Sequence, residues 1–172
     1  GLKGAEATFG EAAEKFGVKE VIFTFEDHKL NRNKNAVVLT KEELERGDIS
    51  MELASRMLNR TYYETEKIRK VLQTIFHMVN NGYSVIAVGW IQPDDTVKGG
   101  TGWGVELAKL FNRPVSVYDQ DRKGWFTWKD DSWQQDESPK IAFDTFVGSG
   151  TRYLNNDGKE AIDKLFADSF SG

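Results

Sequence analysis

The chain contains no cysteine and only two histidines, His28 and His77. The first absence removes disulfides, thiolate catalysis and Cys-ligated zinc, and the second removes a His-rich metal site. No apolar run reaches membrane-spanning length, and no stretch reads as a secretory signal, so the expectation is a cytoplasmic protein with no membrane partner. Positive charge is also in short supply, with 23 Lys and Arg against 27 Asp and Glu and a net charge of −4. A general nucleic-acid binder normally carries a basic face, so that function is not expected. What remains is an ordinary globular balance, 39% hydrophobic and 29% charged, in 172 residues. That length suits one domain, residues 1–172, with a real core.

Along the chain, Ala5–Phe16 reads as a helix, with Ala5, Phe9, Ala12, Ala13 and Phe16 at helical spacing and Gly17 as its stop. Val18–Phe25 reads as a strand and Ala36–Leu39 as a short extended piece. Thr40-Lys-Glu-Glu43 fits a capping box, and Asp48 or Ser50 starts a further helix. The clearest helix is Thr65–Asn80, whose Ile68, Val71, Leu72, Ile75, Phe76 and Val79 make one stripe. Val85–Ile91 and Val115–Tyr118 are nearly continuous apolar runs, as in strands buried on both faces. Gly124–Trp128 reads as a short strand or hairpin arm, Asp130–Pro139 as a loop, Ile141–Val147 as a last strand and Asn156–Phe170 as a closing helix. The order predicts an α/β fold, a Rossmann-like three-layer sandwich with a mostly parallel central sheet. Ligands of such sheets sit past the carboxyl ends of the strands. Gly1–Gly4 has the form of a strand-to-helix turn without its strand, so a first strand is expected to be missing or to lie outside the sequence.

Residues 97–106, Val-Lys-Gly-Gly-Thr-Gly-Trp-Gly-Val-Glu, carry the strongest chemical signal. Four glycines remove the Cβ atoms that keep a ligand off the backbone, and a helix N-terminus then offers amide donors to an anion. Gly99, Gly100 and Gly102 are therefore candidate phosphate or nucleotide ligands, with Gly104 in the same turn and Thr101 adding a hydroxyl. Trp103 is either a stacking platform for a base or a core aromatic at the helix start. Glu106, a carboxylate one turn into the helix, is the catalytic candidate or else a charge favouring the helix dipole.

Gly99-Gly-Thr-Gly-Trp-Gly-Val-Glu106 resembles the Gly-Gly-x-Gly-Thr-x-x-Glu signature of the Lonely Guy cytokinin-activating phosphoribohydrolases and the lysine-decarboxylase-like proteins grouped with them. Lys98 stands where that signature usually has a proline, and Trp103 where it has a threonine. The wider group is the SLOG superfamily of Rossmann-like nucleotide-binding domains. Gly1-x-x-Gly-Ala-Glu6 is similar to the turn after the first strand of its putative molybdenum-cofactor-carrier members, and Asn59-Arg-Thr-Tyr62 and Arg113-Pro-Val115 follow that subgroup's order. Gly102-x-x-x-Glu106 also matches a turn in nucleoside 2-deoxyribosyltransferases, whose glutamate attacks the sugar. The resemblance implies a pocket for a nucleotide or related phosphorylated metabolite, with Glu106 acting at an N-glycosidic bond. The alternative it implies is a non-catalytic nucleotide sensor or cofactor carrier. Neither needs a resident metal or redox cofactor, although Mg²⁺ can accompany a nucleotide. A homodimer is expected, since related proteins often pair.

The other candidate ligands are Gly1 and Gly4 in the opening turn, Arg60 and Arg69 flanking the start of the long helix, and Gly148, Gly150, Thr151 and Arg152 in a second glycine turn. A guanidinium suits a phosphate through paired hydrogen bonds, and either arginine can equally be a solvated charge. Asp27, His28 and Arg32 follow a strand and are pocket candidates, whereas His77 reads as structural. Asp119-Gln-Asp121 is a weak candidate for Mg²⁺ or a ribose hydroxyl. Trp125, Phe126, Trp128 and Trp133 read either as a lid or partner surface or, as the favoured alternative, as a hairpin packing its own aromatics.

Overall fold

A computed structural model of the chain describes residues 2–62, 65–137 and 139–170. Its helices are α1 (Ala5–Lys15), α2 (Lys41–Glu45), α3 (Asp48–Leu58), α4 (Glu66–Asn81), α5 (Thr101–Leu110) and α6 (Asn156–Phe170). Its strands are β1 (Ile22–Thr24), β2 (Ala36–Val38), β3 (Ser84–Gly89), β4 (Val115–Asp119), β5 (Gly124–Lys129), β6 (Ser132–Gln135) and β7 (Phe146–Gly150). Five strands form one sheet in the order β6-β5-β4-β3-β7. It is a mixed sheet: β3 runs parallel to β4 and β7, and the β5–β6 hairpin adds two antiparallel ladders. β1 and β2 make a separate parallel pair. The fold class is α/β.

Alternation along β3 explains how the sheet is covered. Val85 and Ala87 point into a core built with Met51, Ala54 and Leu58 of α3, Leu72 and Val79 of α4, and Val105, Leu107 and Ala108 of α5. Ile86 and Val88 point the other way, onto Ala5, Phe9, Ala12 and Ala13 of α1 and Ile162, Leu165 and Phe166 of α6. A strand buried on both faces has no polar side, and all six residues of β3 are buried, as its unbroken apolar run predicts. The helix ends follow local chemistry. Thr40 and Glu43 form both bonds of the predicted capping box, and the Thr65 hydroxyl accepts from the Ile68 amide to start α4. Among the described residues, no helix is long and apolar enough to cross a membrane.

Three boundaries differ from expectation. Ser132–Gln135 is strand β6 rather than loop, because it pairs with β5 and sets Trp133 opposite Trp128. The last strand begins at Phe146, not Ile141, and extends through Gly150. The glycine pair read as a turn therefore lies inside the strand, where the Phe9 ring covers Gly148. Only Ile22–Thr24 of the Val18–Phe25 run is strand.

Candidate functional site

Three segments meet where β3 and β7 end. The Thr151 amide donates to the Val88 carbonyl at 2.9 Å, and the Ala5 amide donates to the Thr151 carbonyl at 2.9 Å. The start of α1 is thereby fixed on the exit of β7. Gly4 caps α1 with φ 91°, and its α-carbon faces the backbone of Thr151 and Arg152 too closely for any side chain. The third segment arrives from β3. Gly89 faces Val97 and Thr101, which sets the first turn of α5 over the β3 carboxyl end.

Within the signature turn the glycines divide into two kinds. Gly99 and Gly100 are exposed, and a Cβ at either would meet nothing within 4 Å. Gly102 lies inside α5 against the Val97 carbonyl, and Gly104 lies against Ile75. The first pair leaves room for a ligand at the helix N-terminus. The second pair lets the helix pack close to its own protein.

The charged candidates have protein partners. Arg60 donates to the carbonyls of Gly99 at 2.8 Å and Val97 at 2.9 Å, and to Gln92 Oε1 at 3.1 Å, so it props the turn from behind. Arg69 pairs with Asp48 at 2.8 Å, beside the Tyr62 ring. Burial raises the Asp48 pKa, but hydrogen bonds from Tyr62, Gln73 and Arg69 outweigh it and hold the carboxyl below its ordinary value. Trp103 is 6% exposed and belongs to the core beside Tyr62, which decides between its two readings. Thr101 is buried at the first position of α5, and Arg152 is exposed just past β7. Gly1 lies outside the described residues.

Glu106 is 6% exposed, and its Oε2 lies 3.3 Å from Lys109 Nζ, with both side chains 8% exposed. Lys109 Nζ sits 3.8 Å from the Trp128 ring centre and donates to the Asp95 carbonyl at 3.0 Å. Trp133 Nε1 donates to the same carbonyl at 2.8 Å. The tryptophan hairpin thus roofs an ion pair, in line with the reading that it packs its own aromatics. Trp125 faces the opposite side of the sheet, edge-on to Tyr118. Lys109 was missed from the sequence; the signal was its i+3 spacing from Glu106 on a helix.

Two further side chains organise the floor. Asp119 is 2% exposed, with Oδ2 accepting from the Ile91 amide and Oδ1 from the amides of Asp121 and Arg122. Its carboxylate is a brace between the exits of β3 and β4. Gln120, also 2% exposed, accepts from the Asn155 amide and donates to the Tyr153 carbonyl, fastening the loop after β7. A buried amide side chain leaves no periodic trace, and the sequence marks Gln120 only as the middle of the Asp119-Gln-Asp121 turn.

The second group of candidates lies elsewhere. Arg32 bonds Glu14, Glu20 and the Gly10 carbonyl, tying its loop to α1. His28 stacks on Phe25 at 4.3 Å and shares a hydrogen bond with the Thr24 hydroxyl. His77 is buried, with Nε2 2.6 Å from the Glu43 carbonyl, and is structural as expected. Among the described residues, no group of three or more His, Asp or Glu side chains is arranged to hold a metal ion. Comparison with protein-family models, curated proteins and solved structures returns no match to this chain.

Proposed function

We propose that this chain is a Rossmann-like domain of the SLOG type that binds a nucleotide or related phosphorylated metabolite over the carboxyl ends of β3 and β7. The observation that carries the reading is the exposed pair Gly99 and Gly100 at the N-terminus of α5, where a Cβ at either position would meet open space. Arg152 and Thr151 stand at the end of the adjacent strand and supply a cation and a hydroxyl. Any Mg²⁺ would arrive on the ligand's phosphates. Binding without turnover is the favoured form of the reading, because Glu106 is neutralised by Lys109 under the hairpin. Glycosidic cleavage by Glu106 is the second reading. In its favour, Oε2 is buried with no hydrogen-bond partner, the Lys109 contact being an ion pair outside hydrogen-bond geometry.

Calorimetric titration with AMP tests the first reading. Gly100 has ordinary helical angles, φ −59° and ψ −31°, so Gly100→Val places a side chain in the ligand space without backbone strain. The expected outcome is AMP binding that weakens at least ~10-fold, or about 1.4 kcal/mol, in Gly100→Val. Equal affinity in the two proteins removes the site from this turn. Free adenine released by the unmodified chain and lost in Glu106→Gln would instead establish cleavage.

A further inference from the structure

Two parallel-sheet edges face each other across a gap. Among the described residues β7 pairs only with β3, and β1 pairs only with β2. Between them lies a cavity of about 410 Å³, lined by Ile22 and Phe23 on one side and by Phe146, Val147 and Gly148 on the other. In a parallel ladder alternate residues turn their N–H and C=O groups away from their one partner. Each edge therefore presents a row of backbone donors and acceptors to the gap.

The two edges run the same way. The Ala5 amide is bonded at the carboxyl end of β7 and Phe9 lies on Gly148, so α1 descends antiparallel to β7. The Val18 amide then bonds the Ala13 carbonyl and Glu20 lies against Gly10, so the chain climbs back along α1 into β1. Helices close the gap above and below. On one face α1 touches both flanks, through Phe9 with Gly148 and Gly10 with Glu20. On the other, α4 does the same, through His77 with Phe23 at 6.1 Å, while Gly82 at its end lies on Val147. The space is thus bounded by two codirectional strands and two helix layers.

We propose that the gap is the seat of a β-strand: an extended apolar segment that leads directly into Gly1 and runs parallel to β7 and β1. The direction of α1 selects this source over others. Leu2–Gly4 stand at the carboxyl mouth of the gap, where such a strand ends. A strand there followed by α1 and β1 repeats the β-α-β unit with its helix on the α1–α6 face, while the β3-α5-β4 unit steps the opposite way across the sheet with its helix on the other face. The two crossovers therefore share one handedness, as parallel crossovers do. The span also fits: α1 has 11 residues, about 16 Å at 1.5 Å per residue, which about five extended residues match at ~3.3 Å each. Seating it joins both sheets in the order β2-β1-new strand-β7-β3-β4-β5-β6. The inference is independent of the nucleotide reading.

The test compares four proteins by amide hydrogen exchange: the 172-residue chain, the chain with Thr-Val-Ile-Val-Thr placed before Gly1, the same five residues placed after Gly172, and Thr-Val-Pro-Val-Thr before Gly1. Proline cannot donate in the middle of a ladder. The expected result is exchange slowed at least tenfold in residues 22–24 and 146–150, with a raised melting temperature, in the Thr-Val-Ile-Val-Thr amino-terminal extension alone. Unchanged exchange in that protein, or equal protection from the proline version, overturns the strand. Equal protection from the carboxyl-terminal extension overturns its source.

Discussion

The two flanks of the β7-β3-β4 ladder follow opposite plans. On the β4 flank the hairpin extends the sheet, and the loop after β3 and α5 are knitted beneath it by Arg60, Lys109 and the indole of Trp133. On the β7 flank the edge has no second strand among the described residues, and a cavity separates it from β1. The contrast teaches where chemical-looking side chains end up. Glu106, Arg60 and Trp103 carry the conspicuous chemistry of the sequence, and the closed flank consumes all three in packing and ion pairing. The open flank is lined mainly by apolar residues such as Val147, Phe146 and Ile22, which carry no signature, with His28 and Gly148 as the sequence candidates among them.

The sharpest way to break that contrast is to attack the closed flank at its buried pair. Lys109→Met leaves Glu106 without its ion-pair partner beneath the tryptophans, and removing one partner of a buried pair costs about 3–5 kcal/mol. Chemical denaturation should show that loss. Glu106→Gln keeps an acceptor near the ammonium and should cost less, about 1–3 kcal/mol. The double variant should lose less than the sum of the two, since they share one interaction. Strict additivity would mean that the 3.3 Å contact does not couple the two side chains, and would return Glu106 to the ligand-facing role.

Next in size is the division among the glycines. Gly102→Ala drives a methyl group into the Val97 carbonyl beside Arg60, and such overpacking costs about 1–3 kcal/mol. Gly100→Ala meets open space at helical angles and should stay within about 0.5 kcal/mol of the parent. Thermal melts of the two variants measure the difference. Equal losses would show that the turn is not divided into a packed half and an accessible half.

Much of this architecture was legible in the chain, wherever a residue's role is set by its near neighbours. The α4 stripe, the Thr40–Glu43 box and the double-sided burial of β3 are local patterns, and all three are present. The failures share a cause in long-range packing. Gly148 and Gly150 look like a turn until Phe9, remote in sequence, is laid on the first and Val88 on the second. Ser132–Gln135 is polar enough for a loop and becomes a strand because β5 offers a partner edge. At the site, the accessible Gly99 and Gly100 were visible from glycine density. Density could not separate them from Gly102 and Gly104, because that distinction rests on what approaches from elsewhere.

The smallest effect belongs to the open flank and is read by pH. His28 lines the cavity, and burial, aided by the charge of Lys67, lowers its pKa from the ordinary 6.5. The fold therefore favours the neutral ring, and the unfolded chain takes up the proton more readily. Stability from this group is complete above about pH 6.5 and is lost as pH falls through the lower folded value. A melting series from pH 8 to pH 5 should show a decline below 6.5 that shrinks in His28→Gln; an identical slope in that variant would detach His28 from the decline.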